Sequence, residues 1–145
     1  MIILDTNVVS EIMRPRPEPA VLAWLDAQAT EELWLTAVVA AELMFGVARL
    51  ADGARKRQLA QAVCVTLEED FAGRVLPFDL AAASVYADLS AKRERAGAPI
   101  AMADAQIASI CLAHGAVLVT RNGKHFANLD LTIVDPWAAH AASGT

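Results

Sequence analysis

Five short strand-like runs are spaced along the chain: Ile2–Leu4, Glu32–Leu35, Val75–Phe78, Val117–Thr120 and Leu131–Val134. Segments with helical character or turn signals separate each run from the next. Neighbouring parallel strands need a long crossover, and an apolar-faced helix is the usual one. The alternation therefore predicts an α/β domain with a parallel central sheet of about four or five strands, covered by helices on both faces. The chain has 145 residues. That length suits a single domain over residues 1–137, followed by a small, polar tail over 138–145 that is expected to fray.

Helices are predicted over 8–13, 19–28, 37–50, 54–71, 80–96 and 100–114, with a further helical turn over 124–127. The segment 37–50 is apolar almost all round, which predicts a buried helix. Met44, Phe45, Met102 and Val38 read most simply as core, or else as a face for a partner. Trp24 and Trp34 read as core, and Trp137 as a pin for the last strand. Pro77 places the Val75–Phe78 run at an edge or a strand end.

Three acids stand alone in apolar surroundings. Asp5 follows Met1-Ile2-Ile3-Leu4. Glu42 is the only charge between Val38 and Ala48, and Asp104 the only one between Ala98 and Ala113. An ionised carboxylate in such a run is costly to bury unless it is paired, hydrogen-bonded or bound to a metal. Each has a structural reading of its own. Asp5 can cap the helix that follows it, Glu42 can pair with Arg49, and Asp104 can stabilise a helix start. Three together point to a shared cation, and hard oxygen ligands suit Mg²⁺ or Mn²⁺. In open α/β sheets ligands bind beyond the carboxyl ends of the strands. Asp5 and Asn122 both fall at such ends, and helix starts there favour anions such as phosphate.

The formal charge of −5 excludes a nucleic-acid binder that relies on bulk positive charge. It does not exclude a nuclease, because a metal supplies its own local field. Cys64 and Cys111, the only cysteines, make neither a disulfide framework nor a zinc site; both read as small core residues in a protein of the reducing cytosol. Asp5 interrupts the apolar start, so no signal peptide is expected, and no apolar stretch is long enough to cross a bilayer. Arg121 and Lys124 flank the proposed site as solvated cations or phosphate contacts. The runs Arg55-Lys56-Arg57 and Lys92-Arg93-Arg95 are solvated helix faces or grips on a nucleic-acid backbone. His125 is a turn residue or a general base.

An ordered set of motifs carries a resemblance. Ile3-Leu4-Asp5-Thr6-Asn7, Ala41-Glu42-Leu43 with Gly46, Leu76-Pro77-Phe78-Asp79, Ala103-Asp104 with Ile107-Ala108, Val119-Thr120-Arg121-Asn122 and Asp135-Pro136-Trp137 together resemble PIN-domain proteins of the VapC type, and within them the FitB branch. The resemblance implies a PIN fold and a metal-dependent endoribonuclease, the toxin half of a type II toxin–antitoxin pair. Asp5, Glu42 and Asp104 would then hold Mg²⁺ or Mn²⁺ for hydrolysis of RNA by a metal-activated water, with Thr6 and Thr120 as site-lining hydroxyls. It further implies a homodimer, or a dimer of heterodimers with a small DNA-binding antitoxin that docks near the acids. Operator DNA would be bound only through that partner. Relatives often carry a fourth acid at the position of Asn122 or a few residues on; this chain has Asn122 and His125. That departure keeps a second function in play, a weakly active co-repressor subunit that works by binding its antitoxin. A haloacid-dehalogenase-type phosphatase also begins with a strand ending in Asp, but it needs a second Asp where this chain has Asn7.

Overall fold

The computed structural model describes residues 1–138; residues 139–145, most of the expected tail, lie outside the described residues. Strand β1 (Ile2–Leu4) leads into α1 (Thr6–Ile12) and α2 (Pro19–Asp26). A 3₁₀ turn precedes β2 (Leu33–Thr36), which feeds α3 (Ala37–Ala48) and α4 (Ala54–Val65). Then come β3 (Val75–Leu76), α5 (Leu80–Arg95), α6 (Met102–His114), β4 (Val117–Val119), a 3₁₀ turn over Gly123–Phe126 and β5 (Ile133–Val134).

The elements start and stop where local chemistry directs. Thr36 Oγ1 accepts from the Val39 amide at 3.0 Å and caps α3. Asp79 Oδ1 does the same for α5 through the Ala82 amide at 3.0 Å. Pro19 opens α2, where its missing N–H costs nothing. Gly115 closes α6 in the left-handed region at φ 61°.

All five strands are parallel, in the order β3-β2-β1-β4-β5. The first half of the chain therefore builds outward from β1 in one direction, and the second half returns to β1 and builds outward in the other. The reversal falls between β1 and β4, where Leu4 pairs with Val119. A crevice opens beyond the strand ends at such a switch point. The core beneath it is fully buried: Ile3 and Leu4 of β1, Leu35 of β2, Leu118 and Val119 of β4, and Ile107, Ala108 and Ile110 of α6. Burial on this scale is the dominant favourable term in folding.

Several local expectations are corrected. The predicted helix 54–71 is α4 plus a π-helical stretch over Thr66–Asp70. The third and fifth strands shrink to two residues each, the third because Pro77 cannot donate to a ladder. Helix α6 begins at Met102 rather than at 100, because Ala101 takes φ −59° and ψ 145°, outside the helical region. Cys64 is exposed while Cys111 is buried. The largest correction concerns α3, which is not enclosed. Val39, Ala40 and Leu43 face inward, whereas Met44 is 52% and Phe45 64% exposed, and Met102 at the start of α6 is also exposed. An apolar surface all round a helix records what could be covered, not what this chain itself covers.

Candidate active site

Asp5 sits at the carboxyl end of β1, 6% exposed, with its amide donating to Val119 O of β4 at 2.9 Å. Its carboxylate is held on three sides. Oδ1 accepts from the Thr6 amide at 2.8 Å. Oδ2 accepts from Thr120 Oγ1 at 2.7 Å and from Asn7 Nδ2 at 3.3 Å. Thr120, just past β4 and fully buried, uses its whole hydroxyl capacity: it donates to Asp5 and accepts from Asn7 Nδ2 at 3.2 Å and from the Asn122 amide at 3.1 Å. Asn7 completes the ring, its Oδ1 accepting from the Arg121 amide at 3.2 Å. The strand ends and the first turn of α1 are thus tied into one polar network with Asp5 at its centre.

Glu42 approaches from α3. Its Oε1 accepts from Thr6 Oγ1 at 2.7 Å. Asp104 approaches from the first turn of α6, and its Oδ2 lies 3.7 Å from His125 Nδ1. Both carboxyls are pushed above the usual range. For Glu42 the main cause is partial burial, countered by the Thr6 bond and reinforced by the negative charges of Asp5 and Asp104. For Asp104 it is again burial, then the Asp5 charge, with His125 pulling the other way. The Asp5 charge also reaches the buried Cys111 thiol, which burial chiefly pushes up to about 12. Three acids from remote segments therefore repel one another at the strand ends. Among the described residues neither Asp5 nor Glu42 has a basic side chain within ion-pair distance. Arg49, the alternative partner for Glu42, lies instead over the Phe45 ring at 5.8 Å.

Among the described residues no three acids, histidines or cysteines close into a ready-made ligand cluster. The donor set nonetheless fits a hard cation. It offers carboxylate and hydroxyl oxygens, its Asp5 and Glu42 have no basic side chain paired with them among the described residues, and Mg²⁺ takes only one or two carboxylates while keeping several waters.

Other expected site residues fall into place unevenly. Arg121 contributes its backbone amide, while its guanidinium stacks 4.8 Å from the Trp137 ring centroid. Asn122 is exposed and engages through its amide; it is His125, not Asn122, that faces Asp104. Asn7 was missed as a network member. Its place two residues after Asp5 was the available signal, but an Asn at a helix start reads as a cap.

The PIN domain family matches residues 2–131. The chain is 44% identical over 137 residues to VapC ribonuclease Y4jK of Sinorhizobium fredii, covering 94% of this chain and 98% of that one. It is 40% identical to Toxin FitB of Neisseria gonorrhoeae, covering 94% and 99%. The solved structure of FitAB bound to an IR36 DNA fragment superposes with a TM-score of 0.87 at 39% identity, covering 94% of this chain and 96% of that one. Fold, strand-end network and likeness along nearly the whole length agree: the chain belongs to the PIN-domain family, in the group of VapC- and FitB-type toxins.

Proposed function

We propose that the protein is a Mg²⁺-dependent endoribonuclease, the toxin of a type II toxin–antitoxin pair, in which Asp5, Glu42 and Asp104 hold the cation. The observation that carries this is the convergence of those three acids at the β1/β4 switch point, where the Asp5 charge bears on both Glu42 and Asp104, with no basic side chain set against Asp5 or Glu42 among the described residues. The similarity to a VapC ribonuclease supports RNA as the substrate. Bound Mg²⁺, or Mn²⁺ in its place, supplies Lewis acidity toward both the phosphate and water. The protein's part is preorganisation. Thr120, Asn7 and the Thr6 amide fix Asp5 in one orientation, so no reorganisation is needed when the substrate arrives. Thr6 steers Glu42, and His125 lies beside Asp104 on the opposite flank. The test is cleavage of single-stranded RNA by the purified protein in Mg²⁺, with EDTA and the Asp5→Asn variant as controls. Equal product in all three would overturn the assignment.

The raised pKa values give the site a pH signature. Between the ordinary carboxylate pKa and the raised values of Glu42 and Asp104, the folded state binds more protons than the unfolded one. Metal-free protein therefore loses stability as pH rises through that interval. Mg²⁺ competes with protons for the same oxygens, so its stabilising effect grows over the same interval and is lost on acidification. The gain in melting temperature on adding Mg²⁺ is expected to be larger at about pH 7 than at about pH 4. An equal gain at both would count against a shared cation site.

Partners follow from two surfaces. Exposed Met44 and Phe45 on α3 and Met102 on α6 form the kind of apolar surface that marks an interface, and we assign it to a homodimer. Phe45→Asp is expected to convert the dimer to monomer in sedimentation; a monomeric wild-type protein would remove the assignment. A cavity of about 300 Å³ runs from Thr6 and Glu42 over Met13, Leu43, Val47 and Leu59. It suits a segment of a DNA-binding antitoxin, and operator DNA is then reached only through that partner, in line with the DNA-bound FitAB structure. A neighbouring reading frame for a short DNA-binding protein is the observation that tests this pairing. Among the described residues no helix is long and apolar enough to cross a membrane. An RNA substrate supports action in the cytoplasm.

A further inference from the structure

Three clustered acids in a chain of formal charge −5 oppose the approach of a polyanion, so the backbone of any RNA must be held by local cations. One pocket beside the acids is built for this. It has a volume of about 290 Å³ and is lined by Arg93, Pro99, Ile100, Asp104, Lys124 and His125. It shares no residue with the cavity that Glu42 lines, so the two flank the acids separately. Two of its side chains carry permanent positive charge against a single acid, which the proposed cation would neutralise.

Arg93 is fixed before any ligand arrives. Its Nε donates to Ala98 O at 2.6 Å and its Nη1 to Ala127 O at 2.9 Å. These carbonyls belong to the turn before α6, which carries Asp104, and to the turn after the 3₁₀ segment that carries Lys124 and His125. Among the described residues the clamp leaves Nη2 and further N–H donors of the planar fork unused. Holding the guanidinium in place within the fold removes much of the ordering penalty that a free arginine would incur on binding. Lys124 is exposed, and among the described residues its ammonium makes no hydrogen bond or ion pair. Arg121, the other basic residue in this region, is already stacked on Trp137.

We propose that this pocket is a phosphate subsite for single-stranded RNA, in which Arg93 and Lys124 grip the backbone phosphate next to the one held at the acids. The inference rests on the ribonuclease reading and extends it. The subsite lies on the Asp104 side of the acids, separate from the cavity that Glu42 lines.

The test reads binding apart from cleavage. Fluorescence anisotropy of a labelled single-stranded RNA is measured with Asp5→Asn protein, alone and combined with Lys124→Ala, Arg93→Lys or Arg16→Ala. Lys124→Ala is expected to weaken binding about fivefold, the loss of roughly one exposed charge contact. It should also lower the slope of log affinity against log salt by about 0.7, the value for one phosphate on a single strand. Arg93→Lys keeps the charge but loses the fork, so affinity falls while the slope stays. Arg16→Ala, on an exposed loop, changes neither. Unchanged affinity and slope in Lys124→Ala would overturn the subsite, and would leave a protein partner's carboxylate as the occupant. If such unchanged binding accompanies Mg²⁺-dependent cleavage by protein with Asp5 intact, the subsite falls and the ribonuclease stands. If Lys124→Ala weakens binding as expected but protein with Asp5 intact does not cut RNA, the subsite stands and the nuclease falls.

Discussion

Replacing Asp5 by asparagine is expected to leave a folded protein whose RNA cleavage has dropped by at least about 100-fold, the upper end of what loss of a supporting contact costs at a metal site. The two effects separate because Asp5 does two things. Its charge would attract the cation, and it presses on Glu42 and Asp104. Asparagine removes both effects at once. Relief of the repulsion favours the metal-free fold, while the new amide sets an N–H against one of the donors that now surround Asp5. These terms oppose, so the metal-free melting temperature should move by only a few degrees, on the order of a 1 kcal/mol change. Stabilisation by added Mg²⁺ should largely disappear. Cleavage at the wild-type rate with unaltered Mg²⁺ dependence would show that Asp5 is merely a helix cap.

Thr120→Val should be the more destabilising change although it preserves shape. The hydroxyl is fully buried and makes three hydrogen bonds. Valine leaves the Asn122 amide short of its acceptor and takes from Asp5 Oδ2 its shortest donor. An orphaned buried polar group costs about 1–3 kcal/mol, so a total of about 2–4 kcal/mol and a fall of roughly 10 °C in melting temperature are expected. Activity should fall by about 10- to 100-fold, because Asp5 is no longer held in orientation. Thr120→Ser retains the hydroxyl and loses only a methyl group, near 1 kcal/mol, and should keep most of the activity. A Val variant that melts and cuts like wild type would remove Thr120 from the network.

The acids of the proposed site could be picked out from residue order alone. A lone carboxylate among Ile, Leu, Ala and Met is conspicuous because its desolvation demands a reason, and Asp5, Glu42 and Asp104 each stood out on that ground. Asn7 did not, since a short polar side chain at a helix start is ordinarily explained by capping. Nor could the sequence rank Asn122 against His125. The buried Phe126 ends the 3₁₀ turn and anchors it, and the preceding residue is left facing Asp104. The outward face of α3 was misjudged for a related reason. Hydrophobic content reports which surfaces shun water, but whether Phe45 is covered depends on where neighbouring helices end.

Alternating strand and helix signals were enough to establish a parallel α/β sheet, because short apolar runs joined by long crossovers have few other solutions. They were silent on the order of the strands. Only the packed structure puts β4 beside β1, with the chain reversing its direction of growth between them. That adjacency brings Thr120 against Asp5, 115 positions apart in sequence, and opens the crevice into which Glu42 and Asp104 reach. Local propensity acts over a few residues, whereas strand order is decided by the burial of whole faces at once. The residue types that would carry the chemistry were therefore written in the sequence, and their meeting was decided by tertiary packing.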